Sequence, residues 1–357
     1  MKKLILNNTH ELLGAKMIDF GGFYMPVQYE GVKAEHHAVR NKVGVFDVSH
    51  MGEIFVTGEE SLDFLQYVTS NDISKLSEGK VQYSYLPNNE GGIVDDLLVY
   101  QLGKNKYMLV VNASNIEKDY NWLKKNNSFK CEITNKSDEY SLLALQGPES
   151  LDLLRKISSS DITKLKYYNF IIGDLGLIKN VLISRTGYTG ELGFELYVKN
   201  SYLIDLWKLL FKTNIQLKPI GLAARDTLRL EKGFCLYGNE INDTTSPIEA
   251  GLTWITKFNK NFIGKDIIFK VLKEGPAKKL VGIQLLDKGI ARKDYKVFST
   301  TNQKEIGFVA SGTMSPTLNK PIATAFINVE YTNVNSIVEI SIRNKKIKSK
   351  VVNLPFI

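Results

Sequence analysis

Two cysteines, four histidines and three tryptophans in 357 residues exclude several kinds of chemistry at once. Cys131 and Cys235 lie far apart, with neither the paired spacing of a metal knuckle nor the density of a disulfide framework. A reducing compartment fits that usage. His36-His37 have no ligand-spaced partner and read as residues on a helix surface. No stretch approaches the roughly 18 consecutive apolar residues that a membrane span requires. The basic opening Met1-Lys2-Lys3-Leu4-Ile5-Leu6 runs straight into Asn7-Asn8-Thr9-His10, which ends the apolar run before a secretory signal is formed. These absences together point to a cytoplasmic protein.

What is present suits a folded chain of two or three domains. A hydrophobic content of 43% with 24% charged residues is enough to build cores, and the mixture of charge signs argues against disorder. The net charge of +8 permits nucleic acid, an acidic protein or an anionic ligand as partner. Distribution separates these. The lysines are scattered, with small clusters at Lys124-Lys125 and Lys345-Lys346-Ile347-Lys348-Ser349-Lys350. No RNA-recognition signature, finger spacing or arginine-rich arm accompanies them, so a solvated face or a protein-docking patch is expected.

Periodicity predicts an α+β pattern. Helices are expected near residues 30–41, 61–68, 115–125, 203–211, 222–231 and 265–272; strands are expected at 81–85, 93–101, 107–111 and 141–145. Val43 to Val56 reads as two strand pieces around a glycine break. From Lys279 onward short β-branched segments alternate with turns, which places a small β-rich domain over 276–357 after a region spanning 1–275, read as two interleaved α+β domains with the inserted one at roughly 53–140. Met51 and the aromatic run Phe20-Gly21-Gly22-Phe23-Tyr24-Met25-Pro26 read, by residue type, as core or lid packing.

Three segments carry polar side chains where packing alone would not put them. In Gly91-Gly92-Ile93-Val94-Asp95-Asp96-Leu97-Leu98-Val99-Tyr100, side chains alternate between faces, so one of the two carboxylates faces inward. It is either a proton-handling group or, with its neighbour on the surface, a tie to the preceding turn. In Ser184-Arg185-Thr186-Gly187-Tyr188-Thr189-Gly190-Glu191-Leu192-Gly193-Phe194-Glu195-Leu196-Tyr197, a tight turn precedes a strand whose Glu195 lies opposite Phe194 and Leu196. A fixed glutamate can accept two hydrogen bonds from the N–H and amino groups of a heterocycle; a structural hairpin with a surface glutamate is the other reading. In Gly221-Leu222-Ala223-Ala224-Arg225-Asp226-Thr227-Leu228-Arg229-Leu230-Glu231-Lys232-Gly233, Arg225 falls inside the apolar stripe of a helix. It needs an anion, whether a carboxylate such as Asp96 or Asp226, or a ligand.

These segments, with Phe46-Asp47-Val48-Ser49-His50-Met51-Gly52-Glu53, Asn112-Ala113-Ser114-Asn115, Glu249-Ala250-Gly251-Leu252-Thr253-Trp254 and Ser311-Gly312-Thr313-Met314-Ser315-Pro316-Thr317-Leu318, run in one order across nearly the whole chain. That ordered set resembles the aminomethyltransferase, or T-protein, family of the glycine cleavage system. The resemblance implies a three-domain cloverleaf of antiparallel sheets around a central channel, with a β-rich C-terminal barrel. It implies tetrahydrofolate as co-substrate, no metal, and a lipoylated acidic carrier protein as partner. It matches Asp96 to the catalytic aspartate, Glu195 to the residue that grips the pterin and Arg225 to an arginine at the folate site. Tyr83, Met51, Asn112, Tyr188, Tyr237 and Trp254 fall in stretches that surround the folate. Several family members continue beyond the point matching Ile357, so any ligand contact from such a tail is expected to be absent or replaced.

Two relatives of the same fold remain as alternatives: a tetrahydrofolate-dependent methyltransferase or demethylase, and a non-catalytic folate-binding protein of iron–sulfur assembly. The latter places cysteine directly after Lys-Gly, whereas Phe234 here separates Lys232-Gly233 from Cys235. A hydrolase triad from Asp47, Ser49 and His50 is excluded because residues this close on a strand cannot form the relay.

Overall fold

The computed structural model describes residues 1–343 and 345–357. Its helices and antiparallel strands form two compact units. The first comprises Met1–Leu65, Ile73–Tyr83 and Leu97–Asp226; the second comprises Gln66–Asp72, Ser84–Asp96 and Thr227–Ile357. No helix among the described residues is long and apolar enough to cross a membrane.

In the first unit a six-stranded sheet runs in the order Phe170–Leu175, Ile178–Ser184, Gly193–Lys199, Tyr140–Gln146, Gly44–Asp47, Lys218–Pro219. Only the last pairing is parallel. Alternation decides which side chains enter the core: Phe194, Leu196 and Val198 pack with Leu143, Leu145, Val181 and Ile183 on one face. The Leu203–Phe211 helix closes that face with Leu203, Leu206, Trp207 and Leu210, an i, i+3, i+4, i+7 stripe. Each leucine buried this way contributes about 2 kcal/mol. The opposite face is left to Glu195 and Tyr197. To a five-stranded sheet this unit contributes residues 97–103, Lys106–Val111, Gly52–Thr57 and Glu132–Asn135, paired in that order.

The N-terminal segment, for which alternation predicts no strand, folds as a hairpin of Lys16–Phe20 and Phe23–Gln28. Gly21 and Gly22 turn it with φ of 59° and 85°, values that a side chain disfavours. Met25 is wholly buried there, but Phe20 is 40% exposed rather than core. His36 also departs from expectation: it is buried, not on the helix surface. The buried stripe of the Val32–Asn41 helix is Glu35, His36 and Val39, and the His36 ring packs edge-on against His37.

In the second unit the C-terminal strands close a barrel in the order Lys278–Leu285, Lys320–Asn328, Glu305–Ser315, Lys296–Ser299, Ile337–Ile342, Lys345–Val352. Its interior is filled by Ile283, Leu285, Val297, Val309, Ala323, Ala325, Ile327, Val338, Ile340 and Val351. On the last strand Lys345, Lys346 and Lys348 are exposed while Ser349 and Val351 are buried, so this cluster lies on the outer face of the barrel strand.

Candidate functional site

In the first unit Glu195 and Tyr197 share the strand face left free by the core. Glu195 is buried, and its Oε2 accepts a hydrogen bond from Thr186 Oγ1 at 2.5 Å. Burial raises its carboxyl pKa, while the Thr186 bond and the Arg225 charge oppose that rise. The Tyr100 hydroxyl lies 3.0 Å from that of Tyr197 and 3.2 Å from Ser184 Oγ, a buried chain of hydroxyls beside the carboxylate.

Arg225, in the first turn of the Leu222–Glu231 helix, sets its guanidinium 4.6 Å from the centroid of the Tyr188 ring. That geometry is a cation–π contact. Its Nη1 is enclosed and has no hydrogen-bond partner among the described residues. Burial lowers its pKa, opposed by Tyr188, Glu195 and Tyr197. The neighbouring anion expected from the sequence is therefore Glu195, felt electrostatically, while one N–H stays unused. Glu35 fixes the start of this helix. Its Oε1 accepts the N–H groups of Tyr29 at 2.7 Å and Gly31 at 2.9 Å, and its Oε2 that of Gly221 at 2.7 Å. A Cβ on Gly221 would meet the Val27 carbonyl oxygen at 2.3 Å, so only glycine lets the chain pass.

Two groups that the sequence reading left without a role face the same electrostatic neighbourhood. His50 is buried, and its Nδ1 has no partner among the described residues. Burial first and the Arg225 charge second hold its pKa near 3, against the pull of Asp47, so the ring is neutral. Asp47 itself bonds elsewhere: Oδ2 lies 2.9 Å from His10 Nε2, and Oδ1 accepts the Ser49 N–H. No hydrolase relay forms. Glu53 is 1% exposed, its Oε2 has no partner among the described residues, and burial raises its pKa well above the carboxylate range. The only signal in the sequence for Glu53 was a charged residue inside an apolar strand; Tyr100, Thr186 and Tyr197 looked like ordinary strand polarity.

In the second unit Asp95 is wholly buried and Asp96 half-buried. The turn before them is tied by Asn88, whose Oδ1 accepts the N–H groups of Glu90 and Gly92 and whose Nδ2 donates to the Asp243 carbonyl at 2.7 Å. Gly92 is obligatory because a Cβ there would fall 1.8 Å from the Asp243 oxygen. The Ile93 N–H bonds to Asn242 O. Tyr237 donates its hydroxyl to Asp243 Oδ2 at 2.8 Å, and Asp96 contributes, after burial and Glu240, to the raised pKa of the buried Cys235 thiol. Asp96 thus lies within electrostatic reach of Cys235, two residues before Tyr237 in the chain. Trp254 is 61% exposed in the same unit. Met51, Tyr83, Asn112 and Tyr188 lie in the first unit and are half-buried.

The residues present fit a flat heterocycle with both donor and acceptor edges. Glu195 offers an acceptor, while Arg225 Nη1 and His50 Nδ1 are enclosed polar atoms still lacking a partner, a condition that buried polar groups rarely tolerate without ligand or water. No group of three or more metal-ligating side chains is assembled among the described residues.

Comparison with known proteins gives one answer along the whole chain. Residues 6–260 match the family described as the GCVT N-terminal domain, and residues 278–357 the glycine cleavage T-protein C-terminal barrel domain. The aminomethyltransferase of Flavobacterium psychrophilum is 53% identical over 358 residues, covering 100% of this chain and 99% of its own. That of Halothermothrix orenii is 49% identical over 360 residues, covering 100% of both chains. The crystal structure of glycine cleavage system aminomethyltransferase T from Bartonella henselae superposes with a TM-score of 0.94 at 35% identity, covering 100% of this chain and 98% of that one. The chain belongs to the glycine cleavage T-protein family of aminomethyltransferases.

Proposed function

We propose that this chain is the aminomethyltransferase of the glycine cleavage system, acting on an aminomethyl group carried by the lipoyl arm of a small acidic carrier protein. The methylene carbon passes to tetrahydrofolate. Its bonds to sulfur and nitrogen break, two bonds to folate nitrogens form, and the two protons lost from those nitrogens leave on the thiol and on ammonia. The products are 5,10-methylenetetrahydrofolate, ammonia and the dihydrolipoyl carrier.

Asp96 accepts a proton and stabilises positive charge as the carbon changes partners, work suited to a half-buried carboxylate on a strand fixed by the Asn88 turn. Glu195 holds the amino edge of the pterin and Arg225 a carbonyl or carboxylate. Tyr83, Met51, Asn112, Tyr188, Tyr237 and Trp254 surround the ligand. The observation that supports this reading most directly is the buried Glu195, braced by Thr186 and faced by a guanidinium with an unused N–H. The iron–sulfur assembly reading requires a reactive cysteine; Cys235 is buried with its thiol pKa pushed up, which keeps it in the inert protonated form.

The test is ammonia release from the aminomethylated lipoyl carrier, with and without tetrahydrofolate. Release that requires folate is the expected result. Equal release without folate, or transfer from a methyl sulfonium donor in place of the carrier, contradicts the reading.

A further inference from the structure

We propose that Glu53 touches the ligand of this site, donating its carboxyl O–H to an acceptor atom of the reduced pterin. The inference rests on the tetrahydrofolate reading and extends it to a residue that the reading leaves unused.

Position comes first. In the five-stranded sheet Glu53 is paired with Val110, and Val110 with Leu98. Directly opposed residues in antiparallel strands share a face, and so do alternate residues along one strand. Glu53, Val110, Leu98 and Tyr100 therefore lie on the same face. The Tyr100 hydroxyl reaches Tyr197, whose own titration is raised by burial first and then by Tyr100, Glu195 and Glu53 among its neighbours. Glu53 thus belongs to the polar interior that contains Glu195, not to the outside of the sheet.

Its bonding state comes next. The Glu53 backbone is satisfied, its N–H by Ser137 Oγ at 3.0 Å and its carbonyl by the Lys136 N–H. Its side-chain Oε2 is not. Burial, the one cause acting on this group, raises its carboxyl pKa and so favours the protonated acid. A neutral acid has a proton to donate. An enclosed, unused donor costs the fold stability, a cost removed when a ligand acceptor completes it. The neighbouring groups divide the labour: Glu195 accepts from the donor edge of a heterocycle, and the Glu53 O–H, with Arg225 Nη1, serves the acceptor edge.

The chemistry predicts opposite effects on binding and stability. Glu53→Leu removes an unsatisfied polar group and should raise the unfolding midpoint, yet it should weaken tetrahydrofolate binding about ten-fold or more in a calorimetric titration. Glu53→Gln keeps an N–H donor and should cost several-fold less affinity than Glu53→Leu. A merely structural glutamate predicts the reverse for stability, with Glu53→Leu unfolding at lower temperature. Affinity for tetrahydrofolate unchanged in Glu53→Leu overturns the proposal, as does a Glu53→Gln loss equal to that of Glu53→Leu, which would mark an ionised acceptor. Should Glu53→Leu not fold, the infrared difference spectrum of the wild-type protein decides. A protonated-carboxyl C=O band that shifts when folate is added and is absent in Glu53→Gln supports the proposal; no such band refutes it. Glu195→Gln run alongside separates the two claims, because folate binding indifferent to both residues removes the ligand assignment itself, whereas loss at Glu195 alone removes only the role of Glu53.

Discussion

A carboxylate is useful for moving protons when its backbone is rigid and only part of it meets solvent. Asp96 satisfies both conditions, on a strand whose preceding turn is bonded by Asn88 and closed by Gly92. Asp96→Asn keeps the shape and removes the proton acceptor, so turnover should fall about 100-fold or more, the range of general acid–base groups, with tetrahydrofolate affinity and the unfolding midpoint little changed. Turnover near that of the wild-type protein takes Asp96 out of the mechanism. Glu195→Gln should act differently. It swaps an acceptor for a donor against the amino edge of the ligand, and it removes a carboxyl whose pKa is raised by burial. A raised carboxyl pKa makes its contribution to stability fall as pH rises above the unfolded value of about 4.3. The variant should therefore be at least as stable as the wild-type protein at neutral pH while binding tetrahydrofolate about ten-fold more weakly. Unchanged affinity by calorimetry contradicts the assignment. At this scale the sequence marked candidates where a charge broke an apolar pattern, as at Asp96, Glu195 and Arg225. It was silent on His50 and gave for Glu53 only a charge inside an apolar strand, because nothing in the string Ser49-His50-Met51-Gly52-Glu53 tells which side chains end up enclosed without partners.

Elements carry the next level of control. The Leu222–Glu231 helix presents Arg225 near its start, and that start hangs on Glu35, which gathers three backbone N–H groups from two separate stretches of chain. Glu35→Gln weakens those charge-assisted bonds. It should lower folate affinity about ten-fold in the wild-type background and by less than about two-fold in an Arg225→Met background, the non-additivity expected of residues acting in series. Equal losses in both backgrounds show that Glu35 serves the fold in general rather than Arg225. Farther along the same helix polar residues tie it to its neighbours. Arg229 Nη1 meets Glu240 Oε2 at 2.9 Å and its Nη2 meets Ser311 Oγ at 2.8 Å, while Glu231 accepts from Ser315 and Thr317. The stretch Ser311 to Thr317, one of those that carried the family resemblance, is thus largely a clamp between this helix and the barrel. Most helices and strands followed from periodicity because amphipathic stripes and β-branched alternation are local signals. The N-terminal hairpin did not, since its first strand is largely exposed, its second mostly half-buried, and its clue was a Gly21-Gly22 pair needing positive φ. His36 was misplaced for a related reason: an imidazole can occupy a buried helix stripe, and residue type alone predicted the opposite.

For the molecule as a whole, a net charge of +8 with exposed lysines at positions 345, 346 and 348 suits encounter with an acidic carrier. Surface charges steer association and are screened by salt. The rate at low carrier concentration should therefore drop about ten-fold between roughly 0.02 M and 0.5 M ionic strength, while the rate at saturating carrier changes much less. A salt-independent rate at low carrier counts against electrostatic docking. The division of the proposed residues between two units, with Glu195 and Arg225 in one and Asp96 and Tyr237 in the other, was not readable from the sequence. Both units are assembled from chain segments far apart in order, and local patterns carry no information about that assembly.

The fate of the transferred carbon tests the account most directly. With the aminomethyl carbon of the lipoyl carrier labelled with carbon-13, and with tetrahydrofolate and this protein added, nuclear magnetic resonance should find the label in the methylene bridge between the two folate nitrogens, with one ammonia released per carbon moved. Label that stays on the carrier, or that appears as a folate methyl group, contradicts it.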